Sequence, residues 1–152
     1  MYEIEIYEDK NKKSEIKEYI KNLNKNKSKD NNIKFNKIIA YIRVLQEKGL
    51  SIGEPYIKHI EADIWELRPL RDRILFAYYD NNKFILLTVF MKQTRKTPKK
   101  EIEKAKRYLE DYKRRRGFYE WKIYKMGRVW KRIGDNRRAR SGNKIRKNKE
   151  EE

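Results

Sequence analysis

Four charged residues near the middle of the chain have the types and spacing of a phosphate-binding site. Glu66 and Arg68 lie two positions apart, Arg73 begins the next apolar run, and Lys92 ends the run after that. A guanidinium can bind two phosphate oxygens at once, and an ammonium adds a further positive charge. If these side chains lie together, they can grip a polyanion and stabilise the charge that develops on a phosphate under attack.

Three short strands are predicted to position these residues. Their sequences are DIWELRPL, RDRILFAYYD and KFILLTVFMK. They are rich in β-branched and aromatic residues, and Asn81–Asn82 predicts a tight turn between the last two, because asparagine tolerates positive φ. If Asp80 lies opposite Lys83, the register of this hairpin is set, and Arg73 then lies opposite Phe90.

Alternation along these strands predicts two faces for the sheet. The face expected to pack against helices comprises Trp65, Leu67, Ile74, Phe76, Tyr78, Ile85, Leu87, Val89 and Met91. The other face comprises Glu66, Arg68, Arg73, Leu75, Tyr79, Leu86, Thr88, Phe90 and Lys92. We therefore expect the basic residues to converge at the end of the sheet away from the turn, with Glu66 beside them.

The remaining elements predict an α+β fold. Residues 1–7 alternate apolar and acidic side chains, as an edge strand does. An amphipathic helix capped by Ser14 runs to about 24, and a second, 33–48, ends at Gly49. After the strand IKHIEA and the hairpin, a last helix begins with Thr97 as its cap and Pro98 in its first turn. We expect a small antiparallel sheet packed against an N-terminal helical hairpin, with a C-terminal helix.

Composition favours an acidic partner and excludes several classes of site. The chain has 152 residues, 42% of them charged, and a formal net charge of +18. Such a charge is typical of proteins that bind nucleic acid, anionic lipid or acidic proteins. There is no cysteine and one histidine, which excludes disulfides, a cysteine nucleophile and a Cys/His zinc site. We expect no metal and no cofactor.

Neither a membrane segment nor a signal peptide is recognisable in the sequence. No apolar run approaches the roughly 20 residues that span a bilayer, and the N-terminal MYEIEIYEDK lacks the pattern of a signal peptide. We therefore expect a cytoplasmic protein with no membrane partner.

The chain divides by composition into a domain and a basic extension. Residues 1–116 carry the periodic elements. Residues 117–152 hold twelve Lys or Arg and five Asp or Glu, which is +7 of the +18. The distal part of this extension has almost no apolar residues to bury, so we expect it to be disordered on its own.

Several motifs in this order resemble the RelE/ParE toxin superfamily, and most closely its phage-derived HigB-like branch. They are Trp65–Arg68, Arg73–Phe76, Phe90–Lys92 and Lys96–Glu101, the last of which is the most specific. The resemblance implies a toxin of a type II toxin–antitoxin pair, neutralised by an antitoxin, for which we expect a helix-turn-helix protein. Most such toxins cleave mRNA on translating ribosomes without a metal, whereas the ParE branch inhibits DNA gyrase.

Metal-free RNA cleavage suggests roles for the charged residues. The 2′-hydroxyl attacks the adjacent phosphate, so one group accepts its proton, one stabilises the phosphate, and one protonates the leaving oxygen. Arg73 and Arg68 suit the phosphate, and Lys92 could share that task or act as the acid. The base is open between Glu66, which could instead pair with an arginine, and His59, since histidine titrates near about 6.5. The sequence departs from the RelE pattern, in which lysines accompany the arginine before the hairpin.

Four further residues are candidates for binding RNA. Tyr79 could stack on a base. Lys96, Lys99 and Lys100 precede or begin the last helix, where lysines oppose the helix dipole and favour a bound anion. Two alternatives to an mRNA endoribonuclease stay open: a non-catalytic inhibitor of gyrase, and a non-toxic phage protein that binds nucleic acid.

Overall fold

The computed structural model of the protein describes residues 1–115, and the predicted extension at 117–152 lies outside the described residues. The elements in this part of the chain are β1 (Glu3–Ile6), α1 (Glu15–Lys25), α2 (Lys29–Lys48), β2 (Ile57–Glu61), β3 (Ile64–Leu67), β4 (Asp72–Tyr79), β5 (Lys83–Met91) and α3 (Lys99–Arg114). A 3₁₀ turn, Gly49–Ile52, follows α2.

The strands of residues 1–115 form one five-stranded sheet in the order β1-β5-β4-β3-β2. Strands β2 to β5 are antiparallel to their neighbours, as predicted, and β1 joins parallel to β5. A parallel pair requires a long crossover connection, and the α1–α2 hairpin forms the first part of it here. The α+β fold with a helical hairpin and a C-terminal helix is thus confirmed, and the sheet is mixed.

The helical hairpin has the predicted caps and one longer helix. The Ser14 hydroxyl accepts a hydrogen bond from the amide of Lys17, at 3.2 Å, and so caps α1. Helix α2 begins four residues before the predicted position, because the Ser28 hydroxyl caps it by accepting from the amide of Asn31. Gly49 ends α2 at φ 65°, a conformation that glycine adopts without a steric penalty.

Helices cover both faces of the sheet. Helices α1 and α2 pack on one face, in a core that includes Phe35, Ile38, Ile42, Leu67, Ile74, Phe76, Phe84 and Leu86. Helix α3 packs on the other, in a second core formed by Tyr7, Ile64, Leu75, Ala77, Ile85, Leu87, Ala105, Leu109 and Tyr112. The apolar middle of the face that carries Glu66 is therefore covered by the last helix.

The β4–β5 hairpin has a longer turn than the predicted one. Tyr79 pairs with Lys83, so the turn is Asp80–Asn82, and its first two residues have positive φ values of 59° and 62°. The predicted pairing of Arg73 with Phe90 is nevertheless confirmed. The longer turn shifts the register by one residue from the predicted one. A second shift of one residue in the opposite direction cancels it before the strands reach this pair.

A β-bulge supplies the second shift. Phe76 pairs with Leu86 and Leu75 pairs with Thr88, so Leu87 is an extra residue on β5. A bulge breaks the alternation of side chains between the two faces of a strand.

Part of the predicted division of faces is wrong for this reason. Ile85 and Leu87 pack with α3, not with the hairpin, and Leu86 packs with the hairpin. Tyr78, predicted in the core, lies at the edge of the hairpin face and is 37% exposed. The residues before the bulge on β4 and after it on β5 keep their predicted faces.

A buried carboxylate ties both hairpin helices to the start of β4. Asp72 is fully buried, and the Tyr19 hydroxyl of α1 donates to its Oδ1 at 2.6 Å. The Lys34 ammonium of α2 lies 3.1 Å from the Tyr19 oxygen and 3.7 Å from the same Oδ1. Burial and the neighbouring Asp72 carboxylate raise the pKa of Tyr19, so its hydroxyl remains a donor.

Replacing Tyr19 with phenylalanine should lower the free energy of unfolding by about 1.5–3 kcal/mol, because a buried carboxylate loses a hydrogen bond. Urea denaturation measures this loss. Tyr108→Phe is the matched control: its hydroxyl donates to the more exposed Glu15 at 3.1 Å, and its loss should cost about 0.5 kcal/mol or less. Equal losses in the two variants would show that Asp72 does not tie the hairpin to the sheet.

Candidate nucleic-acid interface

Glu66 is the centre of the predicted charged cluster, and its carboxylate is almost fully buried, with the residue 3% exposed. Its Oε1 lies 3.4 Å from Nε of Arg68 and 3.7 Å from Nε of Arg73. Its Oε2 accepts a hydrogen bond from the Thr97 hydroxyl at 2.5 Å. Both oxygens are therefore engaged, and the carboxylate orients two arginines and the segment before α3.

The contact with Thr97 corrects the predicted start of the last helix. Helix α3 begins at Lys99, and Pro98 occupies the N-cap position without a side-chain hydrogen bond. Thr97 does not cap, because its hydroxyl is turned towards the buried carboxylate, which is the stronger acceptor. The helix start is thereby attached to β3.

Arg73 is 7% exposed, and its guanidinium is bonded mainly to the chain itself. Nη1 donates to the carbonyl oxygens of Leu70, at 2.8 Å, and Asp72, at 2.9 Å. Burial and the neighbouring Arg68 lower the pKa of Arg73. The structure thus places the predicted phosphate-binding arginine under the surface, where it holds the turn that leads into β4.

Arg68 is the more accessible arginine of the pair, with a side chain that is 26% exposed. Its backbone is fixed by a hydrogen bond from its amide to the Tyr56 carbonyl at 2.9 Å. Within the part of the chain that the structure describes, its buried Nε atom makes an ion pair with Glu66 but no hydrogen bond. The guanidinium is oriented at its base and can bind an anion at its tip.

The Arg68 side chain lines a basic cleft of about 240 Å³, which lies between the β2–β3 edge of the sheet and the segment before α3. The cationic side chains of this cleft are Lys58, Arg68, Arg95 and Lys96. Lys58 pairs with Glu66 across the two strands and so lies on the same face. The cleft is therefore a concave surface with four cations, the buried carboxylate of Glu66 and the exposed one of Glu61, and this excess of positive charge is expected for binding a phosphate backbone.

Two of these cations escaped prediction from the sequence. Lys58 becomes a neighbour of Glu66 only through the β2–β3 pairing, which the sequence does not reveal. Arg95 stands in the run MKQTRKTPKK, and its place among closely spaced basic residues is a signal that could have included it.

His59 lies at the rim of the basic cleft but faces the other side of the sheet from Glu66. It pairs with Trp65, their ring centroids are 4.8 Å apart, and Trp65 packs against the hairpin core. Nε2 lies 2.8 Å from the carbonyl oxygen of Ala62. Since a carbonyl only accepts, Nε2 carries the proton in this contact, and Nδ1 is the ring atom left to accept one.

The other predicted residues are more widely spread. Lys92 is half-buried, and its amide donates to the Arg71 carbonyl at 2.8 Å, which places it near Arg73 at the end of the sheet. Lys99–Lys100 is exposed in the first turn of α3.

Tyr79 is not brought to the basic cleft. It stands six residues from Arg73 along β4, which corresponds to about 20 Å. Its ring packs edge-on against that of Tyr112, with centroids 5.5 Å apart. A base stacked on Tyr79 would therefore lie far from the arginines.

The described residues also bear on metals and membranes. Among residues 1–115, no three or more His, Asp and Glu side chains are grouped so that they could hold a metal ion. None of the helices in this range combines the length and the apolar character of a membrane span.

Comparison with known proteins shows which family the chain belongs to. No curated protein matches the chain. The family model described as "Phage derived protein Gp49-like (DUF891)" matches residues 18–110, more than half of the chain, from within α1 to the last turns of α3. This range contains every residue of the basic cleft. The chain therefore belongs to the family of phage-derived Gp49-like proteins, which is associated with RelE-like toxins of toxin–antitoxin systems.

Proposed function

We propose that the protein is the toxin of a type II toxin–antitoxin pair and that it cleaves mRNA on translating ribosomes without a metal. The observation that carries this proposal is the basic cleft built around buried Glu66, in a chain whose family is associated with RelE-like toxins. The HigB-like motifs support an RNA target. A neutralising antitoxin is the partner that the family association suggests, and we propose that it is a helix-turn-helix protein.

Arg68 is the proposed contact to the scissile phosphate, because its oriented guanidinium reaches the cleft. Lys58, Arg95 and Lys96 bind neighbouring phosphates, and exposed Lys99–Lys100 extends this surface. In the reaction, the 2′-oxygen attacks phosphorus, the bond to the 5′-oxygen breaks, and a cyclic phosphate remains. The cationic groups stabilise the additional negative charge of the transition state.

The remaining residues divide between positioning and proton transfer. Glu66 and Arg73 are positioning residues, because both are buried and bonded to their neighbours. The base stays open between the two predicted residues: both oxygens of Glu66 are engaged, whereas His59 keeps Nδ1 as a possible acceptor but faces the other side of the sheet from Glu66. Lys92 is the proposed acid or a further phosphate contact, beside Arg73 at the end of the sheet.

The engagement of both Glu66 oxygens favours the two non-catalytic alternatives. A cleft whose carboxylate is occupied by arginines and a threonine can bind an anionic partner without performing chemistry on it. A gyrase inhibitor or a non-toxic nucleic-acid-binding protein would need no more than this surface.

Expression of the chain without a partner should stop growth, with protein synthesis falling before DNA synthesis and mRNA becoming cleaved. Pulse labelling of both syntheses, with primer extension on selected mRNAs, measures this order. If a neighbouring gene encodes a helix-turn-helix protein, its co-expression is the control and should restore growth. If DNA synthesis falls first while mRNA stays intact, the gyrase alternative is correct.

Arg68→Ala should weaken RNA binding by about 1.5–3 kcal/mol, or about 10–150-fold, because it removes a charge-assisted hydrogen bond to phosphate. Its free energy of unfolding should fall less than that of Arg73→Ala, because Arg68 is the more exposed partner and Glu66 keeps Arg73 and Thr97. Arg73→Ala should abolish cleavage and also lower stability, because buried Glu66 loses an ion pair and two carbonyls lose a hydrogen-bond donor.

Anisotropy of a labelled RNA and urea denaturation separate the two effects. Arg107→Ala, an exposed arginine of α3, is the control for net charge and should change RNA binding by about twofold or less. An Arg68→Ala protein with unchanged binding and cleavage would remove Arg68 from the site.

The basic extension, residues 117–152, should add affinity for RNA without adding catalysis. We expect truncation after Gly134 to flatten the dependence of log affinity on log salt, by about 0.7 for each phosphate that the extension no longer neutralises. The single-turnover cleavage rate at saturating protein should be nearly unchanged. Changing the seven Lys and Arg beyond Gly134 to Gln tests charge at constant length and should reproduce the truncation. A large fall in the single-turnover cleavage rate at saturating protein would show that part of the active site lies in the extension.

A further inference from the structure

Exposed aliphatic side chains gather at one end of the sheet. Among the described residues, the large hydrophobic side chains classed as exposed are Met1, Ile33, Leu70, Tyr78 and Met91. Three of them, Ile33, Leu70 and Met91, are 45%, 47% and 45% exposed, and each adjoins Asp72 or its ion-pair partner Lys34 along the chain or across the sheet. We call these three side chains the Leu70 patch.

Hydrogen bonds and strand pairing bring the Leu70 patch together around Asp72. Met91 is the cross-strand partner of Asp72, and Leu70 precedes Asp72 by two positions in a turn that an amide-to-carbonyl bond closes at 3.1 Å. Ile33 adjoins Lys34, whose ammonium lies 3.7 Å from Asp72. Residues from α2, the β3–β4 turn and β5 thus contribute to one surface.

The backbone at Leu70 is strained although its side chain faces solvent. Leu70 has a φ of 57°, in the left-handed region that residues with a Cβ adopt at a steric cost. The Arg73 guanidinium maintains this conformation by donating to the carbonyls of Leu70 and Asp72. Glycine would fit the turn without strain, so the turn presents a leucine where folding alone would favour glycine. Such an outlier points to a functional use of the side chain.

The surroundings of the patch indicate the chemistry of its partner. Lys37 and Arg71 are exposed, and Arg71 lies directly between Leu70 and Asp72 in the chain, so cations adjoin the aliphatic centre. Lys37 follows Ile33 by one helical turn and shares its side of α2. Bases bind by stacking on aromatic rings or guanidinium planes, whereas aliphatic anchors with a polar rim are typical of protein interfaces.

We propose that the Leu70 patch docks an acidic amphipathic segment of a partner protein. Aliphatic side chains of that segment cover Ile33, Leu70 and Met91, and its carboxylates pair with the flanking cations. The segment belongs to the antitoxin if the proposed function holds, and only this identification rests on that function. The patch adjoins Arg73, so the docked segment lies against the turn that this arginine maintains.

Peptide selection tests the patch independently of toxicity. A displayed library of random peptides is selected against the complete chain, and the best peptide is synthesised for fluorescence anisotropy. We expect an enrichment of aliphatic residues interspersed with Asp and Glu. Leu70→Gly should weaken the binding of this peptide by about tenfold or more, because it removes an anchor while relieving the backbone.

Asn81→Gly is the matched control, since Asn81 also has a positive φ, 62°, in an exposed turn but lies at the opposite end of the hairpin. It should bind the peptide within about twofold of the original chain. Both glycine variants should retain or raise the midpoint of thermal unfolding. Met91→Ser should weaken binding in the same direction as Leu70→Gly.

Three results would overturn the proposal: no enriched peptide, a peptide whose binding is unchanged by Leu70→Gly, or an equal loss of binding to a labelled RNA in that variant. The last would assign the surface to nucleic acid. In cells, Leu70→Gly should remain toxic but escape the antitoxin. If the original chain is not toxic, the proposed function fails while the peptide result stands; if the antitoxin still neutralises Leu70→Gly, the antitoxin docks at another surface and its identification as the partner of the Leu70 patch is wrong.

Discussion

The buried charge of Glu66 is the constraint on which this end of the molecule depends. A carboxylate that leaves water must be neutralised and hydrogen-bonded, and breaking one partner of such a pair is strongly destabilising. Arg68, Arg73 and Thr97 meet this requirement from three different segments of the chain. The same contacts fix the β3–β4 turn and the start of α3, so satisfying the carboxylate also shapes the basic cleft.

Two consecutive residues of β4, Asp72 and Arg73, make contacts on opposite faces of the sheet. Asp72 points to the hairpin, where Tyr19 and Lys34 hold it, and Arg73 points to the side of Glu66. Because side chains alternate along a strand, one dipeptide anchors α1 and α2 on one face and the charged cluster on the other. The Leu70 turn immediately before it takes its conformation from both.

Charge has separate uses in this protein. The cations of buried Arg73 and half-buried Lys34 balance carboxylates and stabilise the fold, whereas the accessible ones around the basic cleft and on the first turn of α3 remain available to a polyanion. A formal charge of +18 by itself does not distinguish these uses, because both kinds of residue contribute equally to the sum.

The sequence alone determined what depends on neighbours along the chain. Helical periodicity and the caps Ser14 and Gly49 follow from local patterns, whereas the predicted pairing of Arg73 with Phe90 is correct only because the longer turn and the bulge shift the register in opposite directions. Tertiary structure decided what depends on distant segments: the bulge at Leu87 reversed the predicted faces of the β5 residues between the turn and the bulge, Thr97 turned to Glu66, and β2 brought Lys58 to the cleft. A buried carboxylate pairs with the groups that lie near it in the folded chain, and the spacing of residues along the sequence does not reveal which groups these are.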